Sequence, residues 1–279
     1  MSRPEGRVPY EIFGVSTGET PTKQQIQGIQ YQYCPFLDSE CTKFRKSEPH
    51  VKIGSCVLGH QDQPVIICPE RFKVPVVFKA IEDRYFSGRG VTWVPEVSLG
   101  DRGSIDYVVA LTNGNRDLDD FLCVEIQANG TTGTPWPGVN YFRNKYVMKD
   151  APKSTYGFNW ANEYTKTLTQ QLLKKGTLIE AWGKKIIVII QDSGIDYIRD
   201  QGKGVRDHRD NDSVHFMPFS MDYRGGRWEL SVSGRFYSAD MDGIRKSLTS
   251  EKEEPISIND FQNQILAKGN QEGLWPWNR

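Results

Sequence analysis

The order of hydrophobic periodicities along the chain predicts an α/β fold on a mixed central sheet, with elements in the order helix, strand, strand, strand, helix, strand. Three observations carry it. Apolar residues recur at helical spacing from Val76 to Tyr85; two alternating strands follow around a polar turn; and a long amphipathic helix leads directly into the all-aliphatic run Ile186 to Ile190. A small cysteine-rich module precedes this core and charged additions follow it. The expected division is 1–69 for the module, 70–195 for the core and 196–279 for a C-terminal extension of the same domain.

Each element has its own grounds. Val76, Val77, Ala80, Ile81 and Tyr85 give a helix of about three turns, stopped by Ser87-Gly88-Arg89-Gly90. Val91 to Val97 reads as a short strand, and Pro95 within it points to a sheet edge or a strand end. From Ile105 to Leu111 the alternation is regular, with Ile105, Tyr107, Val109 and Leu111 on one face and Asp106, Val108 and Ala110 on the other. The turn Asn113 to Asp117 then leads into Phe121 to Ala128, apolar on both faces and hence central, so that the two strands form a hairpin. Trp160, Tyr164, Leu168 and Leu172 mark an apolar helical stripe between Phe158 and Trp182, with Lys166, Lys174 and Lys175 expected on the surface. Gly183 ends that helix, and Lys185 to Gln191 suits a buried parallel strand. A hairpin is expected around Arg224-Gly225-Gly226-Arg227, and a short helix at Ile258 to Lys268 ahead of an aromatic tail, Trp275-Pro276-Trp277.

Composition excludes several classes. The 279 residues carry 35 basic and 35 acidic side chains, 37% hydrophobic residues, 7 Trp, 12 Tyr and 13 Phe, too apolar and aromatic for a disordered chain. The longest aliphatic run, Ile186 to Ile190, is far shorter than the ~20 residues that cross a bilayer, so no membrane association is expected. The N-terminus lacks the apolar stretch of a secretory signal, and the expected location is cytoplasmic. Zero net charge argues against a non-specific nucleic-acid coat but leaves room for a local basic cleft.

Four of the five cysteines, Cys34, Cys41, Cys56 and Cys68, fall close together, while Cys123 stands alone. Disulfides do not persist in a reducing compartment, so four neighbouring thiols point to a tetrahedral metal site, with buried free cysteines as the plainer alternative. The intervening lengths of 6, 14 and 11 residues match no common zinc finger. His50 and His60 lie in the same stretch and are expected to face solvent or to stand behind the thiolates.

The hairpin carries the chemistry. Asp106 belongs to its first strand, while Glu125 and Gln127, two apart on the second, share a face. Carboxylates converging among Leu122, Val124 and Ile126 repel one another unless a divalent cation intervenes, and Mg²⁺ held by one or two of them keeps positions open for water and phosphate oxygens. Glu96, just upstream, is a further candidate acid. An ordinary strand with solvated acids is the bland alternative.

An acid on one strand followed by Glu-x-Gln on the next resembles the PD-(D/E)XK nuclease superfamily, whose core has this αβββαβ order. The departure is Gln127, where the motif has lysine: an amide orients a water but lends it no positive charge. Together with the cysteine module and the run Val124 to Thr134, the pattern resembles the NotI and EagI type of type II restriction endonuclease over roughly Tyr10 to Gln191. That resemblance implies a restriction-endonuclease-like core with Asp106, Glu125, Gln127 and Glu96 as catalytic positions, Asp106 and Glu125 holding Mg²⁺, and Cys34, Cys41, Cys56 and Cys68 as ligands of a structural iron. Thiolate chemistry by itself does not separate iron from zinc. It also implies cleavage of double-stranded DNA at a GC-rich palindrome containing GGCC, leaving 5′-phosphate ends, by a homodimer with a cognate DNA methyltransferase in the same system. Cutting both strands of a palindrome independently calls for two symmetric sites. The alternatives are a non-catalytic DNA-binding regulator built on the cysteine metal, and a repair nuclease of the same superfamily.

For DNA contacts, Thr131, Thr132 and Thr134 with Gly130 and Gly133 offer hydroxyls and bare amides to phosphates. Arg143, Lys145, Lys149 and Lys153 form one basic stretch; Lys203, Arg206 and Arg209, then Arg224 and Arg227, form two more, from which guanine-reading arginines are expected. His208 and His215 are expected to be surface histidines.

Overall fold

A computed structural model of the chain describes residues 5–45, 47–112, 117–202, 204–247 and 257–271. The expected turn at 113–116, Lys203 and the tail Trp275-Pro276-Trp277 lie outside them.

The fold is mixed α/β. Its central sheet has eight strands among the described residues, in the order Arg206–Asp207, Tyr237–Ala239, Val214–Arg224, Ile186–Gln191, Leu118–Gln127, Ser104–Thr112 and Thr92–Ser98, with Arg227–Val232 paired to Val214–Arg224. Ile186–Gln191 lies parallel to both neighbours, whereas Leu118–Gln127, Ser104–Thr112 and Thr92–Ser98 run antiparallel as a meander. The expected elements all appear within a few residues of their predicted ends, and Pro95 sits on the edge strand, one of the places where a sheet tolerates proline. Ile186 to Ile190 is fully buried, so truncating any one of these side chains to Ala should cost about 2–5 kcal/mol.

Alternation sorts the central strands between two cores. Leu122, Val124, Ile187 and Ile189 face Tyr10, Val57, Ile66, Trp228 and the helix Pro75–Phe86, which begins at Pro75 and stops at Ser87 in the left-handed region (φ 52°). Cys123, Ile186, Val188 and Ile190 face the other way, onto Tyr164, Leu168, Leu172 and Ile179 of the crossover helix. Tyr107, Val109 and Leu111 follow the first core as expected; Ile105, at the start of its strand, packs with the second.

The crossover begins as a π-helix, Ala161–Leu168, and continues as the α-helix Thr169–Ala181. Hydroxyls of Thr167 and Thr169 donate to the carbonyls of Asn162 and Tyr164, five residues back, at 3.0 and 2.8 Å. Wide turns of this kind recur at functional sites. One surface expectation fails here: Lys175 is buried at 8% exposure, because the helical stripe that includes Leu168, Leu172 and Ile179 carries it onto the sheet.

The N-terminal residues form a four-stranded sheet, Val15–Ser16, Pro9–Ile12, Ser55–His60 and Gln63–Ile66, with two short ribbons, Tyr33–Cys34 with Ser39–Glu40 and Phe44–Arg45 with Glu48–Lys52. It shares a core with the central sheet and is tied to it by polar contacts. The Gln191 side chain accepts from the Ile66 amide at 2.9 Å and donates to the Pro64 carbonyl at 2.6 Å, while the Asn129 amide donates to the Ile66 carbonyl at 2.9 Å. The basic stretch after the hairpin Ser104–Thr112 with Leu118–Gln127 is partly helical, Trp136–Lys145, which the sequence reading did not anticipate. Its Arg143 is half-buried over the rings of Phe13 and Trp136 and donates to the Lys52 carbonyl at 3.0 Å, so it ties elements together rather than reaching outward.

Candidate active site

The antiparallel ladder pairs Tyr107 with Val124 and Val108 with Cys123. Continued by one residue, that register sets Asp106 beside Glu125, and the Asp106 carboxylate accepts the Ile126 amide at 2.8 Å. Since Ile126 packs toward the opposite core, Glu125 and Gln127 both turn toward the crossover helix, as period-2 geometry requires. Asp106, Glu125 and Gln127 thus line one cleft of about 670 Å³, together with Lys43, Arg102, Glu163, Lys174 and Lys175.

Burial pushes the Glu125 carboxyl up to about 7; the neighbouring Asp106 charge adds to the rise, and the bond from Lys175 opposes it. Lys175 Nζ lies 2.8 and 2.9 Å from the two carboxylate oxygens. The sequence reading asked for a cation between the acids and assigned that role to a metal alone; the fold also brings up a lysine. Its signal was present in the sequence, since a lone charge at an apolar position of a helical stripe must find a buried partner. Gln127 turns its amide group to the Ala128 carbonyl at 2.8 Å.

Glu96 stands differently. It falls between Pro95 and Val97, which pair with Tyr107 and Ile105, so its ladder position is beside Asp106. Its backbone is left-handed (φ 52°), its side chain is exposed, and it is not among the residues lining the cleft. The third acid in the cleft is Glu163, from the π-helical turn, whose carboxylate lies against Gly130 so closely that a β-carbon there would meet it. Gly130 is therefore a point of close approach. Thr131–Thr132 is a short strand paired with Gly157–Phe158 rather than an open turn. Beside it, Phe158 and Trp160 stack at 5.5 Å, and Trp160 stacks on Tyr164 at 5.9 Å, whose hydroxyl donates to Asn129 Oδ1 at 2.5 Å.

All five cysteines are buried free thiols. Cys34 and Cys41 come from one ribbon and its exit, Cys56 and Cys68 from the hairpin strand Ser55–His60 and the end of the next. Burial raises Cys34 above its ordinary value, Cys56 well above it and Cys68 to about 11; proximity of Cys41 to Cys34, of Cys68 and Cys34 to Cys56, and of Cys41 to Cys68 adds to the rise. The four thiols therefore occupy one region, and soft tetrahedral chemistry suits them. Among the described residues, however, no three Cys, His, Asp or Glu side chains are drawn into a metal shell. His50 is exposed, and His60 is half-buried against Phe158 and Trp160.

His215 is not a surface histidine. It sits 1% exposed on a strand of the central sheet, with Nδ1 2.8 Å from the Tyr85 hydroxyl and its ring edge-on to His208, because Val214–Arg224 is an interior strand rather than a loop. Of the expected base-reading arginines, Arg206 is held by Asp212 and Asp240 at 2.5 and 2.9 Å, Arg224 by Asp222 and Arg227 by Glu229 at 2.9 Å each.

A mixed sheet that presents two strand carboxylates at the floor of a cleft bordered by lysine and arginine is suited to acting on a phosphodiester. The family model of restriction endonuclease NotI matches residues 22–230, most of the chain. The protein belongs to the NotI restriction endonuclease family and is a site-specific DNA nuclease. No curated protein matches the chain. No helix among the described residues is long and apolar enough to cross a membrane.

Proposed function

We propose that this cleft hydrolyses double-stranded DNA in a Mg²⁺-dependent reaction, within a PD-(D/E)XK-type core, leaving 5′-phosphate and 3′-hydroxyl ends. The observation that carries the reading is the convergence of Asp106, Glu125 and Gln127 on one face of one cleft. The donor set suits the ion. Mg²⁺ is typically held by one or two carboxylates with its other positions left to water and phosphate oxygens, and Asp106 and Glu125 supply two hard oxygen donors lining an open cleft. Bound there, it would supply Lewis acidity to the scissile phosphate and a more acidic water.

The chain's own groups do the rest. The Ile126 amide fixes one oxygen of Asp106, leaving the other toward the cleft. The Lys175 ammonium fixes Glu125. The Gln127 carboxamide, anchored through its nitrogen on the Ala128 carbonyl, keeps its oxygen as a hydrogen-bond acceptor for the attacking water. Lys43, Arg102 and Lys174 border the path of a phosphate backbone, and Glu163 is a better-placed third acid than Glu96.

The target is proposed to be a GC-rich palindrome containing GGCC, cut by a homodimer, with a cognate DNA methyltransferase protecting the host; support for these is the family resemblance. Cys34, Cys41, Cys56 and Cys68 are proposed to hold a structural iron or zinc, supported by their being four buried free thiols in the N-terminal part of the fold. Residues 1–69 then act as the metal module, 70–195 as the catalytic core and 196–279 as recognition or dimer elements.

The test is digestion of a large sequenced GC-rich DNA in Mg²⁺ and in EDTA, with end-sequencing of the fragments. Discrete fragments in Mg²⁺ alone, lost in Asp106→Asn and Glu125→Ala, are expected. A smear would favour a repair nuclease, tight specific binding without cutting a regulator, and full cutting by either variant would remove the proposed acids from the reaction.

A further inference from the structure

The crossover helix buries Leu172, Lys175, Gly176 and Ile179 against the sheet. Lys175 is the charged member of that stripe, and a leucine or methionine there would serve helix–sheet packing at lower cost, since a buried ion pair repays its desolvation poorly. The ammonium nevertheless reaches both oxygens of Glu125 and lines the cleft. Other donors nearby are turned elsewhere: Lys43 Nζ to the Ile67 carbonyl at 2.9 Å, Arg102 to the Lys174 carbonyl at 2.9 Å, and the Gln127 amide to the Ala128 carbonyl at 2.8 Å. The strand position two residues past Glu125 carries no charge, and the helix above supplies one to the same face.

We infer that Lys175 is the cation of the active site, transposed from the strand to the crossover helix: it holds the Glu125 carboxylate in the DNA-free protein and turns to a phosphate oxygen when DNA lies across Asp106 and Glu125. The inference rests on reading the cleft as the nuclease centre. It assigns Lys175 two opposed effects. Against a divalent cation the ammonium is a competitor for Glu125, whereas toward bound DNA it is a partner of the developing phosphate charge. A lysine that merely braced the acids would aid both.

The experiment compares the full-length protein with Lys175→Met and Lys175→Arg in two measurements. One is calorimetric titration of the DNA-free protein with Ca²⁺. The other is single-turnover cleavage of a defined duplex in Mg²⁺, with the duplex Kd measured in Ca²⁺. For Lys175→Met the expected results are Ca²⁺ affinity raised about tenfold, cleavage slowed about 100-fold, and duplex Kd in Ca²⁺ changed by less than about threefold, because the lost phosphate contact is offset by tighter binding of the divalent ion. Lys175→Arg should keep Ca²⁺ affinity near that of the parent and recover much of the rate, because it retains the charge. Thermal melting checks folding; should Lys175→Met not fold, Lys175→Gln carries the same two measurements. Parent-like cleavage without the lysine, or Ca²⁺ affinity falling together with the rate, would overturn the inference. Failure of the parent protein to cut, or normal cutting by Glu125→Ala, would instead defeat the underlying reading of the cleft.

Discussion

Arg71 Nε stands 2.8 Å from Glu11 Oε1, with the two side chains only 6% and 3% exposed, and so joins the first strand of the N-terminal sheet to the approach of the helix Pro75–Phe86. The guanidinium also donates to the Trp228 carbonyl at 2.7 Å and lies over the Phe36 ring. Burial pushes the Glu11 carboxyl up, and the arginine counters that. Removing one partner strands the other in a dry interior. Arg71→Ala should therefore cost about 3–5 kcal/mol in urea unfolding, while Glu11→Leu with Arg71→Met should recover most of it. A loss under 1 kcal/mol for the single variant would mean that water reaches the pair.

His215 makes stability depend on acid. Burial, with the neighbouring His208 and Lys185, lowers its imidazole to about 4 from an ordinary 6.5. Below 6.5 the unfolded chain takes up a proton that the folded chain refuses until about 4. The contribution is thus complete above the unfolded value and is lost as pH falls across that window, by a total on the order of 3 kcal/mol. His215→Gln, which keeps a partner for the Tyr85 hydroxyl, should flatten this part of the profile in urea unfolding between pH 7 and 4.5, two values bracketing most of that ~2.5-unit window. Parallel profiles would place the acid sensitivity elsewhere.

The same strand shows where the sequence was legible and where it was not. Periodicity disclosed the hairpin Ser104–Thr112 with Leu118–Gln127, the parallel Ile186–Gln191 and the crossover helix, because each has a face that must be buried. It also put Asp106, Glu125 and Gln127 on one face. His215 was misread because Val214–Arg224 is interleaved with Pro218, Ser220 and Asp222, which breaks the apolar run even though the strand is interior. Glu163 was missed because its role arises from the packing of the crossover on the sheet, and Lys175 was assigned to the surface although its charge within the apolar stripe was the one local sign of a buried partner. Glu96 shows the converse: an acid just upstream of the hairpin was a candidate, but its backbone is left-handed at an edge strand and its side chain does not line the cleft.

Gln191 joins two sheets through its side chain, standing in for a strand neighbour by accepting from Ile66 and donating to Pro64. Gln191→Leu fills similar space but leaves two buried backbone groups without partners, at about 1–3 kcal/mol each. Hydrogen exchange should show the Ile66 amide losing protection in this variant while the amides of Ile187 and Ile189 keep theirs. Equal loss across both sheets would mean that they unfold as one unit and that Gln191 is no hinge between them.

Gln127→Lys would complete the Glu-x-Lys pattern that the sequence resembles, and motif logic alone predicts faster cleavage. The cleft predicts the reverse. Lys175 already contributes a cation at Glu125, so a second ammonium on the same face opposes a divalent ion and repels the first, each at low effective dielectric. Gln127→Lys alone should therefore cut more slowly than the parent and need more Mg²⁺ to saturate. Combined with Lys175→Gln, the charge returns to the strand and the net charge of the cleft is that of the parent. The double variant should then cut faster than Lys175→Gln alone, an interaction of opposite sign to simple additivity. Single-turnover rates for the four proteins of this cycle decide it. Rates that multiply independently would mean that the two positions do not share one cation.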